Sequence, residues 1–168
     1  MISGTTRTTT LRAATALVSA SALIGISAAP ALAHSTSGST SGRKLHATLT
    51  GANQVGPMGK TGVGDPNGRA TVFMTTNIRT QRLCYVIKVT GIDLPAAAAH
   101  IHEAKAGANG PVIYSLNAPD ASGKSSGCVS IPKAKLMEIR SNPANYYVNV
   151  HNAMYPGGAV RGQLSKKR

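Results

Sequence analysis

The chain has 168 residues, with 18 Lys and Arg against 5 Asp and Glu, a formal charge of +13, no Trp and a single Phe. Such a balance excludes an acidic module and favours contact with polyanions such as teichoic acids, anionic lipid or nucleic acid. No basic run is interleaved with stacking aromatics, so the composition speaks against a specific nucleic-acid site.

Arg7 and Arg12 precede an uncharged small and apolar run over residues 13–29, which meets Ala31, Leu32 and Ala33, a small-x-small cleavage signal. Residues 1–33 therefore read as a secretory signal peptide. Removing those 33 of 168 residues leaves 135, enough for one domain with its own core. The two leader arginines account for two of the thirteen net charges, so the mature balance is +11. No later segment approaches a transmembrane span, and no cysteine stands at the cleavage site to carry a lipid. The product is expected to be secreted and extracellular. Its two cysteines, Cys84 and Cys128, favour a disulfide in that oxidising compartment, with a pair of buried thiols as the alternative.

Residues 34–43 form a Ser/Thr/Gly run with nothing to bury, expected to be a flexible linker. The domain is expected over 44–165, followed by a basic end, 166–168. Residues 45–49 alternate weakly as a first strand. A glycine-rich loop over 56–68 closes in the turn Asp65-Pro66-Asn67-Gly68, and a strand over 69–75 follows, with Ala70, Val72 and Phe73 available for burial. Residues 83–89 are the clearest strand, with Leu83, Tyr85, Ile87 and Val89 on one face. Gly91 and Pro95 turn the alanine run at 96–99 away from helix, and a strand is expected through His100. Two more strands are expected at 111–116 and 127–131. Pro132 opens one short helix to Ile139, and strands at 146–151 and 157–164 complete the chain. The pattern is all-β: an antiparallel sandwich or barrel of about seven to eight short strands with one short helix.

Residues two apart on a strand share a face, so His100 and His102 present both imidazoles together, with Ile101 toward the core. Asn149 and His151 share one face of a second strand while Val148 and Val150 share the other. If those strands are neighbours, three imidazoles converge and suit copper or zinc, with a position left for water or substrate and redox chemistry open to copper. The alternative is structural: the histidines bond backbone or tyrosine and hold loop ends. His46 is a fourth candidate, and His34, as the new amino terminus, has the donors of a copper-chelating brace. Glu103 is expected to pair with Lys105 or to support the histidines as a carboxylate behind them.

Catalytic constellations are missing. No Gly-x-Ser-x-Gly occurs, no second acid accompanies Glu103, and the glycines at 59, 62, 64 and 68 lack the Lys-Ser/Thr ending of a phosphate loop. Asp65 and its turn offer too few carboxylates for calcium. Asn149, Tyr155, Gly157, Gly158 and Arg161 read as structural support, the glycines supplying turn angles and Arg161 bonding turn carbonyls near the histidines.

Three stretches together, AHIHEAKAGANGPV from Ala99, NPANYYVNVHN from Asn142 and YPGGAVRGQL from Tyr155, resemble the CHRD domain, named from chordin and found also in many secreted bacterial proteins. Leu83-Cys84-Tyr85 and Gly127-Cys128-Val129 occupy the expected intervening positions. The resemblance spans about residues 44–164 and implies a secreted binding or structural module, non-enzymatic and of undefined extracellular or cell-surface ligand. Chordin's restraint of growth factors belongs to a multidomain animal protein and is not carried over. The His-x-His strand is also similar to that of the copper-zinc superoxide dismutase sandwich. This chain lacks that family's histidine-rich zinc loop, so dismutase activity is not implied.

Overall fold

The structure, a computed structural model, describes residues 42–167. The expected signal peptide, His34, the linker up to residue 41 and Arg168 lie outside the described residues.

Among the described residues nine strands and one α-helix follow in chain order, besides three short 3-10 turns: β1 (Arg43–Thr50), β2 (Arg69–Asn77), β3 (Arg82–Thr90), β4 (Ala98–Glu103), β5 (Val112–Leu116), β6 (Lys124–Ser130), α1 (Lys133–Ser141), β7 (Tyr146–His151), β8 (Val160–Gln163) and β9 (Ser165–Lys166). All pair antiparallel in one sheet of order β5-β4-β7-β8-β1-β2-β3-β6, with β9 on β1. The two ends of that sheet approach each other, since the Asn117 N–H just after β5 donates to the Tyr85 hydroxyl at 2.6 Å and its side-chain amide to Ser126 O at 2.9 Å. Of the two architectures the sequence allows, the chain takes the nearly closed barrel. Closure removes most of the exposed strand edge that an open sheet would present.

The period-2 pattern decides what fills the barrel. Leu45, Ala47 and Leu49 on β1, Ala70, Val72 and Met74 on β2, and Leu83, Tyr85, Ile87 and Val89 on β3 are all buried. Ala99 and Ile101 on β4 and Val148 and Val150 on β7 complete the lining, and α1 adds Leu136 and Ile139. Each fully buried Leu or Ile side chain contributes about 1.5–3 kcal/mol. Gly162 on β8 lies close against β1: a Cβ there would collide with Thr48 O.

Phe73, expected in the core, lies outside and is 45 % exposed. Parity is the reason: the inward set on β2 is even-numbered, and an odd residue cannot join it without shifting the register that pairs Phe73 with His46 and Val86. The aromatic ring instead receives the Lys167 ammonium at 4.6 Å from its centroid. β1 opens at Arg43, inside the expected linker, and β9 carries the sheet to Lys166, inside the expected basic end.

Candidate metal centre

β4 and β7 are neighbours, with Ala98 opposite His151, His100 opposite Asn149 and His102 opposite Tyr147. His100 and His151 are thus diagonal across the strand pair, a separation that side chains of this length span. His100 Nδ1 lies 3.2 Å from His151 Nε2. One ring nitrogen from each of His100, His102 and His151 lies within 4.8 Å of the others.

The proton positions follow from the surrounding acceptors. His102 Nδ1 sits 3.0 Å from Gly110 O and His151 Nδ1 sits 2.9 Å from Pro156 O. A carbonyl only accepts, so both Nδ1 atoms carry the proton and both Nε2 atoms present a lone pair. His151 Nε2 accepts from His100 Nδ1–H. Among the described residues His102 Nε2 is buried with no partner, an acceptor whose desolvation no described group offsets. Imidazoles that ligate metals are generally oriented in this way, the second nitrogen donating to a carbonyl.

Burial favours the neutral form of His100 and His102. Burial pulls the His102 pKa below its usual value, opposed by the Gly110 bond and aided by His100, His151 and Arg161. Burial and then the neighbouring His151 lower that of His100. Neutral imidazole is the form a metal requires.

Behind His102 stands a stacked column. The Tyr147 ring lies 4.6 Å from the His102 ring and 7° from parallel, and the Arg161 guanidinium lies 3.5 Å over the Tyr147 centroid. Arg161 is 1 % exposed. Its Nη2 donates to Lys105 O at 3.1 Å and Ala108 O at 2.7 Å, and its Nη1 to Asn109 Oδ1 at 3.2 Å. These bonds hold the loop after β4 over the outer face, and the same loop supplies the Gly110 carbonyl to His102. Asn109 extends the clamp to the β1–β2 loop through Val55 O and Gly56 O.

The remaining candidates divide. Asn149 is buried beside His100 and Arg161 in the register, its Oδ1 without a partner. Tyr155 O accepts from the Gly158 N–H at 2.9 Å, closing the turn that aims Pro156 O at His151. Gly158 has φ 128°, and a Cβ there would meet Asn149 Oδ1 at 2.5 Å. Gly157 has no positive φ, and its carbonyl accepts from Gln54 Nε2 at 2.7 Å. His46 is on the outer side of β1 against Ser165 at 3.3 Å, outside the trio. Glu103 pairs with Lys135 at 3.1 Å rather than with Lys105, whose backbone is drawn under Arg161. Cys84 and Cys128 face each other on β3 and β6 and are joined at 2.04 Å.

Sequence reasoning passed over Tyr147, Gln54 and the Gly110 and Pro156 carbonyls. For Tyr147 the signal was present, since it shares strand parity with Asn149 and His151. The carbonyls carry no side-chain signal.

These features define a small disulfide-bonded antiparallel barrel with a histidine trio on its outer face. The CHRD domain family model matches residues 45–164, and the chain belongs to that family. No curated protein and no solved structure matches it. Among the described residues no helix is long and apolar enough to cross a membrane.

Proposed function

We propose that this CHRD domain is an extracellular, non-enzymatic binding module whose ligand at the outer face is copper(II) or zinc(II), held by His100 Nδ1 and by Nε2 of His102 and His151. The observation that carries the reading is the buried, unpartnered Nε2 of His102 beside two further ring nitrogens. In a tetrahedral site with about 2.0–2.1 Å bonds, nitrogen ligands lie about 3.3 Å apart. The 3.2 Å pair of His100 and His151 already has that spacing. A ring nitrogen of His102 lies within 4.8 Å of one on each of the other two, and side-chain torsions are what would close the remaining gap.

Occupancy needs His100 to move its proton from Nδ1 to Nε2, a tautomer change that leaves its charge unaltered. Three protein nitrogens leave a fourth position for water or a donor from a partner. An extracellular setting fits the leader-like first 33 residues, the cystine and the CHRD membership.

The test is calorimetry and metal analysis on the full chain with zinc(II) and copper(II) separately. One equivalent is expected to bind, and His100→Ala, His102→Ala and His151→Ala are each expected to weaken it by at least tenfold. Equal metal uptake by all three variants and the parent refutes the reading. A trio that only braces the loops predicts lowered stability in the variants with no saturable uptake in the parent.

A further inference from the structure

The charge on this barrel is unevenly placed. All five carboxylates, on Asp65, Asp93, Glu103, Asp120 and Glu138, lie off β1, β2, β3 and β6. The outward residues of those four strands include Lys44, Arg69, Arg82, Lys88 and Lys124, all exposed, with Lys167 laid over Phe73 at the centre. Among the described residues both ion pairs belong to Lys135, elsewhere on the molecule, so none of these cations has a carboxylate partner within salt-bridge distance. Asp120, just before β6, accepts with Oδ1 from Ser122 and from the Lys124 backbone N–H.

One pairing stands out energetically. Lys88 and Lys124 are directly opposite across β3 and β6, where like charges repel and destabilise the pair. The exposed Asp120 carboxylate lies close enough to attract Lys124, yet among the described residues neither ammonium forms a salt bridge, and an anion bridging the two would relieve their repulsion. The same row continues through Thr71 and Thr48, whose hydroxyls are donors for an anionic oxygen. Lys44 lies opposite Thr75, four residues along β2 from Thr71 and so about 13 Å away along the strands. Lys167 lies between them.

We propose that the outward face of β1, β2, β3 and β6 docks an extended phosphate polyanion, running from Lys88 and Lys124 past Lys167 to Lys44. A single phosphate spans only the first pair, so the spread of cations selects a chain. A bilayer is disfavoured because the large apolar residues exposed on this face, Phe73 and Val86, are each less than half exposed, and the Lys167 ammonium lies over the Phe73 ring. This face and the histidine trio use different residues, so either binding activity can fail without the other.

Long-chain inorganic polyphosphate is the probe, titrated into the full chain at several NaCl concentrations, with orthophosphate and phosphatidylglycerol vesicles as separate arms. The double variant Lys88→Gln/Lys124→Gln is expected to weaken binding at least tenfold and to lower the salt slope by about two. Lys60→Gln/Lys133→Gln removes the same charge from a loop and from α1 and is expected to change affinity less than twofold. Equal weakening by the two doubles overturns the proposal, because net charge alone then explains binding. Orthophosphate as tight as the polymer also overturns it, as does binding to vesicles with none to polyphosphate.

Discussion

Arg161→Ala is the substitution whose consequence the structure defines most closely. The guanidinium is buried, makes three hydrogen bonds to the loop after β4 and covers Tyr147 at 3.5 Å. Charge-assisted hydrogen bonds contribute about 1.5–3 kcal/mol each, and a desolvated cation–π contact about 2 kcal/mol. Their sum overstates the loss, because burial of the guanidinium opposes its charge and pulls its pKa down, and that cost vanishes with the side chain. The exposed loop carbonyls also regain water. The partners left behind are neutral acceptors, so the net loss expected in urea unfolding of the oxidised chain at neutral pH without metal is about 2–3 kcal/mol. Arg161→Met keeps much of the apolar stem and is expected to recover only the packing share. Arg161→Lys recovers little, since one ammonium on a flexible stem cannot reproduce the planar fork. The loosened loop no longer fixes Gly110 O against His102, so metal affinity is expected to fall about 10–100-fold. A change below about 1 kcal/mol in Arg161→Ala refutes this account of the clamp.

Two further outcomes follow from other parts of the fold. The folded-state pKa values of His100 and His102 are lowered from 6.5, so near and below that pH the unfolded chain binds more protons. Stability is fully present above pH 6.5 and is lost as the pH falls through the lower folded values; metal-free melting at pH 7.5 and 5.0 checks this, and a His100→Ala/His102→Ala variant with an undiminished acid-induced loss rejects it. Replacing Cys84 and Cys128 by Ser opens a loop with a sequence separation of 44. The chain-entropy relation puts the loss at about 4 kcal/mol, read by chemical denaturation, and a loss under about 1 kcal/mol contradicts it.

The strands were legible because one side of each is buried and the other wet, which imposes an alternation the sequence displays. Leu83, Tyr85, Ile87 and Val89 occupy the expected face. Phe73 misled because hydrophobicity alone does not encode parity, and its ring finds a cation outside the barrel. The pairing of His100, His102 and His151 as candidates came from strand parity, yet spacing says nothing about which strands touch. Glu103 was drawn toward Lys105 by sequence proximity, whereas the ammonium that reaches it belongs to Lys135, 32 residues away on α1.

By itself the sequence determined the all-β class, the single helix near Pro132, the segregation of apolar from polar positions and the three stretches of CHRD resemblance. These are local properties: period, turn chemistry and motif spacing, each satisfied within a few neighbouring residues. Only the tertiary structure decided that β4 lies beside β7, that Gly110 and Pro156 turn their carbonyls toward two imidazoles, and that Lys88 meets Lys124. Those arrangements depend on strand order and loop paths, set by how the whole apolar lining closes into one barrel, and no short segment carries that information.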